Sequence, residues 1–468
     1  MVVVLLTALI VVFNTIAASS SFDVPILPGY PGPLPFKLQT GYVGVGDEDE
    51  RQLFYYFIES ESDPVRDPLL FWFIGGPGCS GFSALVYEIG PLKFDHEEFD
   101  DGLPSFVLNP YSWTKFANIL FIDALAGSGF SYAKSENGYA SSDTIAAEHN
   151  YMFLRKWLLS HPWFIRNRFY LGGDSYGGKT VALLASEIIK GNEAGLEPQI
   201  RFQGYMIGNP VVDEDKDHNE QTPYAHRMGL ISDEYFEMAK TSCDGEYVNP
   251  DPNNKECKYA LQLVKDCIQN IYTAHILEPS CGEHPGIRRF DNDPIINSEE
   301  HRPINVLKQE RQFCREDLHE LSTLWANDLT VQEALHVRKG TIDDWVRCND
   351  SIRYEKNIQS TCKLHGLLSK DLHILVYSGD HDLGIPHIAT LKWVRLLNIS
   401  VDEQWRPWMV NGQVGGMIHC VCRYTEKYGN NGASLIFATV KGGGHTAPEY
   451  MPKECFAMAD RWLSSYLL

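Results

Sequence analysis

The sequence predicts an α/β protein built on a mostly parallel sheet flanked by helices, with an inserted, mainly helical segment. Two observations carry this. Short uninterrupted apolar runs at residues 69–74, 118–123, 202–208, 372–377 and 434–441 have strand length and the composition of strands buried on both faces. They alternate with stretches of helical spacing from residue 69 to 210, and the pattern gives way to helices alone from about residue 213 to 344.

Taken in order, residues 1–19 read as a signal peptide: an apolar core at 2–13, then small residues, with cleavage near residues 18–20. The run is short of the about 20 residues a membrane span needs, and no other candidate span follows. The mature chain is therefore expected in the secretory pathway, in the vacuole or outside the cell. In that oxidising setting the 11 cysteines point to disulfides and not to metal sites. Neither a Cys-x2-Cys pair nor His-Glu-x-x-His occurs, and no metal or cofactor is expected. Asn349-Asp-Ser351 and Asn398-Ile-Ser400 are possible glycan acceptors. A formal charge of −21 argues against nucleic acid and anionic membrane as partners.

Residues 20–212 then read as the first part of the core. The first apolar strand breaks into Gly75-Gly-Pro-Gly-Cys-Ser-Gly81, a glycine-rich turn whose bare N–H groups suit an oxyanion hole. An ordinary turn is the plainer reading, and a phosphate loop is disfavoured because the Gly-Lys-Ser/Thr ending is missing. After the 118–123 strand, residues 146–160 read as a helix on which His149 is structural or exposed. Residues 163–171 read as a strand and 179–190 as a helix, with Gly173-x-Ser175-x-Gly177 between them. Strand, sharp turn and helix around one serine make a nucleophile elbow, with Ser175 as nucleophile.

Residues 213–344 read as the inserted helical subdomain, with a helix expected over 259–276, five cysteines, and an exposed loop at 283–311. Its place after a sheet strand suits a lid over the pocket. Residues 345–468 return to the core. The 372–377 strand ends in Ser378-Gly-Asp380-His-Asp382, and the last strand runs into Gly442-Gly-Gly-Gly-His445. Three strand ends thus supply Ser, acid and His in that chain order, the order of α/β-hydrolases. Ser175 is a poor nucleophile until His445 takes its proton, and an acid must hold the imidazole's tautomer. Both Asp380 and Asp382 are placed for that role.

Four motifs in order, Trp72-x-x-Gly-Gly-Pro-Gly-Cys-Ser80, Gly173-Asp-Ser-Tyr-Gly177, Ser378-Gly-Asp-x-Asp382 and Gly444-His-Thr-Ala-Pro448, resemble the serine carboxypeptidase family, from about residue 33 to the end. The resemblance implies the α/β-hydrolase fold, Asp382 as the triad acid, and an oxyanion hole on the N–H groups of Gly76 and Tyr176. It also implies disulfides Cys79–Cys348, Cys243–Cys257 and Cys281–Cys314, leaving Cys267, Cys362, Cys420, Cys422 and Cys455 without assigned partners.

Around Gly75, the pattern's peptide-cleaving members carry Asn where this chain has Ile74 and Glu where it has Asp174, to hold the peptide's free carboxylate. Losing such a bond to a charged group costs about 1.5–3 kcal/mol, roughly one to two orders of magnitude in affinity, so peptidase activity is expected to be weak. Residues 172–176, 378–382 and 442–450, with Trp405-Arg-Pro-Trp408 and Asn411-Gly-Gln413, look like the plant acyltransferase branch instead. Two departures from that branch stand out: Ile74 where Thr is commoner, and Gly416-Met-Ile-His-Cys-Val-Cys422 in place of a Gly-Tyr-x-x-x-Tyr run. The expected function is transfer of an acyl group, of phenolic type, from a 1-O-β-glucose ester to an alcohol. The alternatives are a serine carboxypeptidase or esterase that uses water, and a non-catalytic binding glycoprotein.

Overall fold

The computed structural model describes residues 20–95, 102–280, 314–423 and 433–464. The expected signal peptide, the 283–311 loop and Cys281 lie outside the described residues. Among those described, no helix is long and apolar enough to cross a membrane.

One twelve-stranded sheet organises the chain. Its principal strands are β1 (Ser20–Asp23), β2 (Leu38–Val45), β3 (Arg51–Ile58), β4 (Leu69–Phe73), β5 (Asn118–Ile122), β6 (Phe169–Asp174), β7 (Phe202–Gly208), β8 (His373–Gly379), β9 (Val401–Val410), β10 (Gln413–Arg423) and β11 (Ser434–Val440). The spatial order is β1-β2-β3-β5-β4-β6-β7-β8-β11-β10-β9. From β5 to β11 every neighbouring pair is parallel, and the strands flanking that block are antiparallel. The parallel block is made of the apolar runs legible in the sequence, because strands covered on both faces leave no polar alternation. The flanking strands went unread: in β2 and β3 glycine, glutamine and tyrosine interrupt the apolar pattern, so cross-strand pairing decides them.

Two cores cover the two faces. One is built on helix α1 (Asp143–Ser160), through Phe153, Leu154 and Trp157, and on α2 (Gly177–Glu193), through Val181, Leu184 and Ile188. The other gathers Trp72, Trp113, Trp325, Trp345 and Met458. Residues 416–422, unlike the family's usual run, fall in β10, antiparallel to β11.

Two expected elements differ from the structure. The strand expected from residue 163 starts at Phe169, because Pro162 opens a short 3-10 helix, Pro162–Arg166. The helix expected over 259–276 is α3, Lys255–Ile268, which Asn254 caps by accepting from Cys257 N at 2.9 Å. Beyond it the chain turns, with Ile271 N donating to Ile268 O at 3.0 Å, and residues 273 and 274 offer their carbonyls to two loops described below. Between β7 and β8 the described residues also form helices at Glu214–Asn219, Gln221–Arg227, Asp233–Ser242 and α4 (Arg315–Ala326). Tyr224, Ala239, Ala260 and Val264 of this region pack with Leu383 and Ile388, just past β8.

Candidate active site

The carboxyl ends of the parallel strands converge. Ser175 follows β6 directly and carries φ 52°, a left-handed conformation uncommon outside glycine and a mark of a strained turn. Two bonds lock it: Ser175 N donates to Gly208 O at 3.0 Å, and Val211 N donates to Ser175 O at 2.8 Å. The glycine turn after β4 reaches the same place. A Cβ on Gly75 would lie 2.5 Å from Ser175 Cβ and 3.2 Å from Tyr176 N, so only glycine lets this backbone come so close to the serine and the amide beside it.

His445 Nε2 lies 2.8 Å from Ser175 Oγ, and His445 Nδ1 lies 2.8 Å from Asp382 Oδ2. The Asp382 side chain is fully buried, while a quarter of the His445 side chain is exposed. Every acceptor direction of Asp382 is used: Asn209 Nδ2 donates to Oδ2 at 2.8 Å, and Gly384 N and Ile385 N donate to Oδ1 at 2.7 and 3.2 Å. Burial pushes the His445 pKa down, but the charge of Asp382, its hydrogen bond and the charge of Asp174 outweigh that and raise it. Such an imidazole is suited to accept a proton from Ser175.

Asp380, the other acid at this edge, bonds elsewhere: His381 Nδ1 at 2.8 Å, Gly442 N at 2.7 Å, and Lys441 Nζ. The geometry thus resolves the choice that the residues alone left open, bringing Asp382 to His445.

Two residues of this site had no signal of their own in the motifs. Asn209, φ 38°, accepts from Gly379 N at 2.9 Å while donating to Asp382, and so ties β7 to the acid loop. Its position at a strand's carboxyl end was the available clue. Asp123, at the end of β5, accepts from Ser80 Oγ at 2.6 Å, Gly81 N at 2.9 Å and Phe130 N at 2.8 Å, and so anchors the glycine turn.

Behind the serine sits an acidic cluster. Asp174 is 1 % exposed, and among the described residues neither carboxylate oxygen makes a well-formed hydrogen bond; burial raises its pKa to about 7, against the opposing pull of the His445 charge and the nearby Gly75 N–H. Glu88, also buried, accepts from Trp72 Nε1 at 3.2 Å, and its pKa is driven well up by burial and by the charge of Asp174. Glu449 goes the other way: despite burial, His319 at 3.0 Å and Arg315 at 3.3 Å lower it to about 2. Ile74 is partly buried and lines a cleft with Gly78, Cys79, Asn150, Tyr176 and Tyr354, of about 350 Å³ counting its open mouth.

Disulfides join Cys79 to Cys348 and Cys243 to Cys257. Cys314 is disulfide-bonded, and Cys281, the partner expected for it, lies outside the described residues. Cys267, Cys362 and Cys455 are free thiols. Of the two sequon asparagines, Asn398 is exposed, whereas Asn349 Nδ2, the atom a glycan would occupy, donates to Gly127 O at 2.8 Å.

Residues 28–465 match the family model for serine carboxypeptidases. The chain belongs to the serine carboxypeptidase family. It is 43% identical over 446 residues to serine carboxypeptidase-like 17 of Arabidopsis thaliana, covering 95% of this chain and 93% of that one. It is 45% identical over 464 residues to serine carboxypeptidase-like 14 of the same plant, covering 98% of each. Among solved structures, Kex1, a prohormone-processing carboxypeptidase from Saccharomyces cerevisiae, superposes with a TM-score of 0.68 over 92% of each chain at 18% identity. That likeness bears on the fold, and it fits the α/β-hydrolase architecture described above.

Proposed function

We propose that this serine carboxypeptidase-like protein is an acyltransferase that moves an acyl group, of phenolic type, from a 1-O-β-glucose ester to an alcohol. The observation that carries the reading is Ile74: beside the glycine turn and Tyr176, where a peptidase needs a donor for the substrate's free carboxylate, this chain presents a hydrocarbon.

In this reading Ser175 Oγ attacks the ester carbonyl as His445 Nε2 takes its proton. The N–H groups of Gly76 and Tyr176 hold the oxyanion. His445 returns the proton to the sugar oxygen, and glucose leaves. The acceptor hydroxyl then gives its proton to His445 and attacks the acyl-enzyme; His445 passes the proton back to Ser175, and the ester product departs. Asp382 keeps the imidazole in the tautomer with its proton on Nδ1 and stabilises its charged form. No cofactor takes part, and the substrates are small molecules. The expected signal peptide and the disulfides suit the secretory pathway, with the vacuole or the cell exterior as destination.

A second reading, a peptidase that uses water, draws on Asp174 and Glu88. Buried carboxyls with raised pKa values keep their protons in mildly acid solution and could donate to a carboxylate in place of the missing amide. One experiment separates the two. The protein is incubated with phenolic glucose esters, with and without alcohol acceptors, and with a blocked dipeptide, using Ser175→Ala as blank. Acceptor-dependent ester with glucose release is the expected result. Dipeptide cleavage without acyl product would transfer the protein to the peptidases.

A further inference from the structure

Ser175 is placed by a strand and a helix, but Asp382 and His445 lie on loops several residues past the ends of β8 and β11. The sheet register fixes those strands only as far as Gly379 opposite Val440. Beyond it the loops are joined directly by Asp380 N donating to Val440 O at 3.1 Å and His381 N donating to Gly443 O at 2.9 Å, and neither bond reaches Asp382 or His445 themselves.

The four residues Thr273, Ala274, His275 and Ile276, which follow α3, touch both loops. Leu383 N and Gly384 N donate to Thr273 O at 2.9 and 3.0 Å, and Ile276 N donates to His381 O at 3.0 Å; these bonds reach the acid loop. His445 N donates to Ala274 O at 2.8 Å, which reaches the base itself. A Cβ on Gly444 would come within 2.5 Å of Ala274 O, so here base loop and segment meet backbone to backbone. His275 closes the arrangement. Its ring, 8% exposed, stacks on His381 at 5.2 Å and on Tyr450 at 4.9 Å. Nδ1 accepts from Leu277 N at 3.3 Å, which leaves Nε2 as the N–H that donates to Gly442 O at 3.1 Å. Asp380 braces the same point by accepting from His381 and Gly442. Arg315 then ties Glu278 (2.6 and 2.9 Å) to Glu449 and lies 4.1 Å from the Tyr450 ring centre, holding the far side of the base loop.

We propose that residues 273–276 form a clamp that sets His445 against Asp382 and Ser175, with His275 as its positioning residue. The inserted region is then part of the catalytic scaffold as well as a cover. Strands dictate where the loops start, and the clamp dictates where the base ends up. A displacement of about 1 Å in a catalytic group costs up to about 10²-fold in rate.

The inference rests on the triad assignment but not on the acyl donor, so the test uses a fluorophosphonate, which reports Ser175 reactivity without substrate recognition. His275→Phe keeps the ring stacks and removes both hydrogen bonds; His275→Gln restores a donor within reach of Gly442 O. The expected result is a roughly 10- to 100-fold slower labelling of the Phe variant at little change in melting temperature, with most of the loss recovered in the Gln variant. In turnover assays the loss should fall on kcat and leave KM nearly unchanged. Equal labelling of wild type and His275→Phe would overturn the clamp alone, as would a Gln variant no faster than Phe. A wild-type protein that the probe does not label, like the Ser175→Ala blank, would overturn the triad and the clamp together.

Discussion

The two sides of Ser175 are built on opposite terms. Towards His445, polar atoms are satisfied: Asp382 accepts from Asn209, Gly384, Ile385 and the imidazole, and the imidazole reaches Ser175. Towards Ile74, Glu88 accepts the Trp72 indole N–H, and Asp174 makes no well-formed hydrogen bond among the described residues. Fully bonded groups hold one geometry and one charge state. Buried carboxyls short of donors hold their protons instead, because desolvation disfavours the anion. On the proposed reading, catalytic placement lies on the first side and substrate discrimination on the second.

The largest effect should come from breaking the bonded side. Asp382→Asn leaves the ring's position intact but presents the wrong tautomer, so kcat should fall about 10⁴-fold in an acyl-transfer assay. Asp380→Asn, two residues away, keeps an acceptor for Gly442 N and should cost far less; a comparable loss would shift the acid role to Asp380. Next in size is Ile74→Asn on the other side. Supplying an amide donor should raise hydrolysis of a blocked dipeptide roughly 10- to 100-fold. A smaller loss, about tenfold in kcat, is expected for Asn209→Ala, which removes one of the donors to Asp382 and unties β7 from the acid loop.

The smallest effect couples the two sides. Once Asp174 is ionised, as pH rises through its pKa of about 7, its charge helps to raise the pKa of His445, so Asp174→Asn should move the acid limb of the kcat/KM profile to lower pH. Stability should change as well. With a folded-state pKa of about 7 against an ordinary 3.8, Asp174 holds a proton that the unfolded chain has lost between those values. Its contribution is therefore full below about pH 4 and is lost as pH rises towards 7. Denaturant unfolding of Asp174→Asn across that range should show a shallower fall in stability with pH than the wild type.

Much of this was legible in the chain because parallel strands and their loop motifs are written locally. The apolar runs marked β4, β5, β7, β8 and β11 within a residue or two, and glycines around Ser175 marked the elbow. Residue 163 misled because Trp163, Phe164 and Ile165 are as apolar as a strand, although Pro162 starts a helical turn there. Glu88 and Asp123 left no trace in the motifs, since a lone carboxylate reads as surface until its surroundings are known. His275 was hidden inside what reads as a helix.

The sequence by itself determined the class of chemistry: a serine, two candidate acids and a histidine at successive strand ends, an apolar residue at 74, and cysteines suited to disulfides. Tertiary structure alone decided which aspartate meets the histidine, which carboxyls lose their water, and what holds the two loops together. The reason is physical. Strand and turn preferences act between neighbours in the chain, whereas hydrogen-bond satisfaction and desolvation depend on groups brought together from segments well separated in the chain, 63 residues for Asp382 and His445 and 270 for Ser175 and His445.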